Sequence, residues 1–239
     1  MTTIDMNATL AELVTANPAL AAHLDRAGLD YCCGGQRRLV DAVTTAGLDV
    51  GEVLRALADV GAAPETEDWS SMGPAALVEH LESTHHAYLH DALPRVCALA
   101  DKVVAVHGAR HPELADVARF VTELRADLEP HLLKEERVLF PMIRELCNAT
   151  TAPRFHCGSL ANPIRVMGVE HDTAGDLLAR LRRTTGDYVV PADGCASYHA
   201  LYAALVELEA DTHLHVHKEN NVLFPAVLAA EAAIDAVPS

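Results

Sequence analysis

HLLKEERVLFPMI, residues 131–143, and its near-copy HVHKENNVLFPAV, residues 215–227, decide how this chain folds. Seven of the thirteen positions agree, with His, Lys, Glu, Val, Leu, Phe and Pro at matched offsets. Helical composition alone does not produce such agreement in register, so the two segments read as the halves of a duplicated helix pair. Duplication in turn predicts pseudo-symmetric chemistry. Each copy carries His-x-x-x-Glu: His131 with Glu135, and His215 with Glu219. Residues four apart share one helix face, ~5–6 Å apart at Cβ, so an imidazole and a carboxylate can converge on one ion.

Continuing each stripe places Leu124, Leu128, Val138, Leu139 and Met142 beside the first pair, and Leu208, Val222, Leu223 and Ala226 beside the second. Both pairs are therefore expected to face a core. A carboxylate buried there is costly unless it is paired, protonated or bound to a metal, and no Lys or Arg falls on the stripe. A solvated His/Glu pair explains one such motif as well as a ligand pair does. It explains two matched motifs poorly.

The repeat also says where the remaining donors lie, since His171 precedes His215 by 44 residues and His86 precedes His131 by 45. Offsets of three, seven and ten from His86 give Leu89, Leu93 and Val96; from His171 they give Ala174, Leu178 and Leu181. From His85 they give Tyr88, Ala92 and Arg95. His86 and His171 are thus expected to face the core and His85 to face outward.

Four inward histidines and two inward glutamates suit a pair of octahedrally inclined ions, each taking two imidazoles and sharing both carboxylates, at the ~3.5–4 Å separation of two-metal sites. Iron fits this donor set best, and manganese can use it too. Structural zinc prefers four closed ligands, often thiolates, and magnesium and calcium avoid imidazole. The ferritin-like arrangement, built on Glu-x-x-His, is absent. So few carboxylates leave coordination room for a bridging oxo or hydroxo group and for a small ligand such as O2 or NO.

His213 and His217 flank His215 two residues away, roughly 160–200° off its face, and are expected in solvent. His80, His90, His107, His111, His156 and His199 have no matched partner and read as surface or loop residues. Glu170, beside His171, is either a support or proton carrier for the site or an ordinary surface carboxylate.

Four stretches with helical periodicity, about 73–106, 112–147, 162–184 and 194–230, are separated by Gly- and Pro-bearing segments. Their simplest arrangement is an antiparallel four-helix bundle. Upstream, Asn17-Pro18, Gly34-Gly35 and Gly47 punctuate short apolar-periodic segments, a small helical unit. GAAPETEDWS, residues 61–70, reads as a linker, which gives domains at 1–67 and 68–239. The chain is all-α in expectation: half its residues are apolar while only 4% are aromatic.

A formal charge of −16 disfavours nucleic acid and anionic membranes, which need Lys/Arg patches. The N-terminus lacks a signal-peptide pattern and no apolar stretch is long enough to span a bilayer, so a cytoplasmic protein with its six cysteines reduced is expected. A homodimer is admitted by this reading rather than required by it. Cys32 and Cys33, in DYCCGG at 30–35, are either thiols for redox or iron handling or small hydrophobes at a helix end. Cys97, Cys147, Cys157 and Cys195 show no metal spacing and are expected to do little.

DYCCGG in a short N-terminal domain, followed by HxxxEExxLFP, EHD and HxxxENNVLFP, resembles the iron–sulfur cluster repair di-iron proteins, also called repair of iron centres. The likeness spans roughly residues 8–228 and implies a hemerythrin-like bundle after the N-terminal domain. Its ligands fall on His86, His131, Glu135, His171, His215 and Glu219, the six that repeat and periodicity select. The resemblance implies restoration of iron–sulfur clusters damaged by nitric oxide or oxidants, with iron–sulfur proteins as clients, by iron donation or nitric oxide reduction at the di-iron centre. A hemerythrin-like O2/NO sensor or carrier is the alternative. The chain departs from the family in a longer connection, RFHCGSLANP at 154–163, and in a Cys-bearing loop before the last helix.

Overall fold

The computed structural model describes residues 4–61 and 69–235; the domain boundary expected near residue 68 lies outside them. The N-terminal unit consists of α1 (Leu10–Ala16), α2 (Ala21–Arg26), α3 (Leu39–Thr45) and α4 (Val50–Ala58). Local chemistry sets these short helices. Thr9 and Glu12 form a reciprocal capping box on α1, Asn17 closes α1 and opens the turn beginning at Pro18, and Asp49 accepts the Glu52 amide at the start of α4. Gly28 and Gly47, at φ +66° and +69°, follow α2 and α3 in the left-handed conformation that glycine adopts at no steric cost. Leu10, Val14, Leu24, Leu39, Val43 and Leu57 fill the small core between them.

The bundle follows as four long rods. The first joins α5 (Pro74–Leu81) to α6 (Ala87–His107), the second joins α7 (Leu114–Lys134) to α8 (Phe140–Asn148), the third is α9 (Ala161–Thr184), and the fourth joins α10 (Ala196–Lys218) to α11 (Phe224–Asp235). The expected all-α, hemerythrin-like bundle with a small helical N-terminal part is what the chain adopts, and no β-strand occurs among the described residues. No helix there is long and apolar enough to cross a membrane.

Three rods are continuous only through a π-helical turn: Glu82–His86, Glu135–Leu139 and Glu219–Leu223. Each wide turn adds one residue to the rod, and in two of them Pro141 or Pro225 follows within two residues, where a residue without an N–H suits a ladder changing register. The extra residue shifts part of the inward face, although Leu139, Met142 and Leu223 stay buried as expected. Val138 and Ala226, expected on the inward stripe, are exposed, while Phe140, Ile143, Phe224 and Val227 are buried instead. A pure 3.6-residue period could not foresee that shift.

Two apolar layers enclose the middle of the bundle. On one side lie Leu89, Leu93, Leu124, Leu128, Leu178 and Leu208; on the other, Leu81, Leu139, Ile143, Leu223 and Val227. Each such side chain contributes about 1.5–3 kcal/mol when fully buried, and together they seal the polar layer between them from water.

Candidate metal centre

The polar layer holds His86 from the first rod, His131 and Glu135 from the second, His171 from the third, and His215 and Glu219 from the fourth. All six are buried, both glutamates at 0% exposure. Two four-residue groups result, His86/Glu135/His215/Glu219 and His131/Glu135/His171/Glu219, each with ligand atoms within 4.8 Å of one another. Both carboxylates belong to both groups. Glu219 reaches His215 Nε2 with Oε1 and His171 Nε2 with Oε2, each at 3.1 Å. Glu135 Oε2 lies 3.3 Å from His131 Nε2 and 3.5 Å from His86 Nε2.

Close as they are, these contacts do not make a satisfied hydrogen-bond network. His86 Nε2, His215 Nε2 and all four carboxylate oxygens are buried without a hydrogen-bond partner, an arrangement that proteins otherwise avoid. The Nδ1 atoms of His131 and His171 both face acceptors, so each ring presents a bare Nε2 lone pair, and those two atoms lie 3.2 Å apart. Two lone pairs at that distance need positive charge between them, a ring proton or a metal ion. Burial pulls the His131 imidazole down, yet Glu135 and Glu219 carry it up to about 9. Burial pushes the Glu219 carboxyl up, yet His215 and His171 hold it well below the ordinary range. The pocket thus attracts cations, and its buried His/Glu donors fit a metal centre.

The atoms behind the donors repeat the same logic. Glu136, directly after Glu135, accepts from His86 Nδ1 at 3.0 Å; Asn220, directly after Glu219, accepts from His171 Nδ1 at 3.0 Å. Glu170 accepts from His131 Nδ1 at 2.9 Å and also pairs with Lys134. Burial nudges the Glu170 carboxyl up, but Lys134 and His131 keep it below its ordinary value. The shared Phe of each copy lies against the histidine of the rod before it: Phe140 on His86 at 5.3 Å between rings, and Phe224 on His171 at 6.1 Å. Outer partners of this kind fix ring orientation and tautomer.

Several histidines lie elsewhere than expected. His85 is buried rather than outward: it faces the seam with α10, its Nδ1 2.8 Å from Asp211, its Nε2 2.8 Å from Lys218, and its ring stacked on His215. His86 points inward while His85, about 100° around the helix, points at a neighbouring rod instead of at water. Burial, reinforced by Lys218, lowers His85 to about 3, and burial raises Asp211 to about 6. His213 and His217 do face away from the donors, but the N-terminal unit covers them. Asp25 accepts from His213 Nδ1 at 2.8 Å, and the Tyr31 carbonyl lies 3.3 Å from His217 Nδ1. His107, expected at the surface, is buried where α6 ends against Tyr198. His90, His156 and His199 are exposed.

DYCCGG sits on the fourth rod beside the polar layer. Asp30 gathers the amides of Cys32, Cys33 and Gly34 at 3.0, 2.9 and 2.8 Å. Asn221 donates to the Cys32 carbonyl at 2.9 Å. A Cβ on Gly35 would meet the Tyr31 carbonyl at 2.4 Å and Asn221 at 2.9 Å, so glycine there permits the close approach. Cys32 is buried, its sulfur 3.9 Å from that of Cys33. The neighbouring Cys33 sulfur and burial push the Cys32 thiol up. Asp30, Cys32 and Cys33 form a third group of potential donors, at the edge of a cleft of about 370 Å³ that also reaches Asp172, Asp176 and His213.

Residues 77–227 match the family described as hemerythrin HHE cation binding domain, and residues 6–61 match a family described as a domain of unknown function, DUF542. The iron-sulfur cluster repair protein YtfE of Enterobacter sp. (strain 638) is 36% identical over 93% of this chain and 97% of its own length. That of Cronobacter sakazakii is 35% identical over 93% of this chain and 96% of its own. The chain belongs to the YtfE iron–sulfur cluster repair family. Within that family, the His/Glu layer lies inside the matched hemerythrin region and DYCCGG inside the N-terminal one.

Proposed function

We propose that this chain is a non-haem di-iron protein that restores iron–sulfur clusters damaged by nitrosative or oxidative stress in the cytoplasm. The carrying observation is the pair of four-residue groups that share Glu135 and Glu219. The relatives named for iron–sulfur cluster repair, matched along nearly their whole length, supply the process. His86 and His215 would hold one ion, His131 and His171 the other, and the two glutamates would bridge them. Bound there, iron supplies redox chemistry and open positions for a diatomic ligand such as NO, which makes nitric oxide reduction as well as iron donation to client proteins accessible.

The chain's own residues provide the rest. Glu136, Glu170 and Asn220 keep the Nδ1 protons of His86, His131 and His171 on the outside of the rings, so the Nε2 atoms of those three are free for a cation. The leucine layers exclude water. Asn220 and Asn221 tie the fourth rod to the backbone of Cys32, which sets the two thiols beside the layer as candidate redox or iron-handling groups.

Metal analysis of the purified chain with Mössbauer spectroscopy, before and after anaerobic NO, tests this reading. Two coupled irons per chain that change on NO exposure are the expected result. Zinc, or a single uncoupled iron, overturns it. A carrier or sensor of O2 would instead bind O2 reversibly and be indifferent to Cys32→Ser and Cys33→Ser.

A further inference from the structure

At the other end of the bundle, a cysteine and a buried histidine form a pair that the metal reading does not use. Cys195 is the N-cap of α10, a helix of 23 residues, and is exposed to solvent. Its Sγ lies 3.1 Å from Nε2 of His107, the last residue of α6. His107 is 21 residues beyond His86 in sequence, roughly 30 Å along the helix axis at 1.5 Å per residue. The pair is therefore chemically separate from the His/Glu layer.

The His107 ring reveals the state of the sulfur. It is 3% exposed, and its Nδ1 is buried with no hydrogen-bond partner. A proton on Nδ1 would be a buried, unsatisfied N–H, which costs more than a bare lone pair in an apolar place. The ring proton accordingly belongs on Nε2, where it donates to Sγ, and a sulfur that accepts from a ring N–H is best served by the thiolate form. The backbone amides of Ser197 and Tyr198 at the helix start face the same sulfur, adding the positive end of the helix dipole. The surrounding groups are largely paired with one another: His111 lies between Asp193 at 2.9 Å and Glu113 at 3.1 Å, and Arg110 pairs with Asp193. The neighbouring Tyr198 hydroxyl lies 3.2 Å from that of Tyr202.

We propose that Cys195 is a reactive thiolate, activated by His107, and a site at which the chain forms mixed disulfides with small-molecule disulfides. Sγ attacks one sulfur of R–S–S–R, the S–S bond breaks, and a Cys195–S–S–R bond forms. The other half leaves as RS⁻ and takes a proton from solvent, so Cys195 is oxidised and half of the reagent is reduced. His107, with Ser197 and Tyr198, brings the thiol down to about 7, so the attacking form is abundant at neutral pH without a second cysteine beside it.

The test treats the intact purified chain with bis(2-hydroxyethyl) disulfide between pH 5.5 and 9 and follows each cysteine by peptide mass spectrometry. A neutral reagent avoids repulsion by the formal charge of −16. At pH 6.5 Cys195 is expected to react about fivefold faster than a cysteine in an unstructured peptide, the gain in thiolate outweighing the loss of nucleophilicity at lower pKa. Its rate should level off above about pH 7.5, and His107→Phe should remove the advantage while metal content stays unchanged. A Cys195 rate equal to that of the peptide, or still climbing through pH 8.5, overturns the proposal. The wild-type pH profile decides the matter even if His107→Phe does not fold.

Discussion

The two copies of the repeat use one scaffold under different covers. In the first, KEERVLFP, the residues after the glutamate common to both groups are Glu136, which reaches past His86 to the exposed His90, and the exposed Arg137. In the second, KENNVLFP, the same positions are Asn220 and Asn221, and both donate to the Cys32 carbonyl of the N-terminal unit. Position by position the copies do the same work at the metal layer, since Glu136 and Asn220 each hold the histidine of the preceding rod. Here they diverge where one meets water and the other meets protein. A carboxylate facing a carbonyl in a covered seam would lack a donor, whereas an amide offers both an acceptor for His171 and a donor for Cys32.

A second asymmetry runs the other way. Glu170 holds His131 from behind, but the equivalent residue in the first copy is His85, which stacks on His215 and leaves His215 Nδ1 without a partner. The two half-sites are alike in donors and unlike in support.

The largest expected effect tests what the halves share. Glu135→Ala or Glu219→Ala removes a carboxylate common to both groups, so either variant should lose metal from both positions when metal content is measured per chain. Retention of two ions in both variants would refute the bridging assignment. Next in size is the support behind the rings. Glu170→Ala should weaken metal binding by about 100-fold and Asn220→Ala by about tenfold, within the range for outer partners and with the charged acceptor mattering more. Competition with a chelator measures both, and equal losses would erase the distinction between charged and neutral support.

Asn220→Glu rewrites the second copy as the first. It should keep the acceptor for His171 yet loosen the N-terminal unit by about 1–3 kcal/mol, the cost of a polar group left unsatisfied, seen as faster hydrogen exchange in residues 29–35. The smallest effect concerns register: Val138→Ala should change stability by less than about 0.5 kcal/mol because the site is exposed. Val227→Ala, fully buried, should cost about 2 kcal/mol. Denaturant titration separates them, and equal costs would mean that the π turns do not set the packing.

Much of the candidate site was legible in the chain because it was written twice. The matched motifs located His131, Glu135, His215 and Glu219, and the spacing between copies led to His86 and His171, which the structure gathers into one buried layer. Glu170 was visible only as a neighbour of His171, with its partner undefined. Glu136, Asn220 and the Phe140 and Phe224 contacts lay within the quoted motifs, and the repeat could have flagged the two phenylalanines. His85, Lys218 and Asp211 gave no signal, since each depends on a contact between the first and fourth rods.

The sequence by itself determined the all-α bundle and the inward face at the metal layer, because apolar periodicity and a duplicated motif are local properties that one helix records along its own length. Only the tertiary structure decided what covers the outer face of the fourth rod, which way the helices turn after their π segments, and that Cys195 meets His107. Those outcomes depend on which distant segments pack together and on one extra residue in a helical turn, and neither is encoded in the periodicity of a single helix.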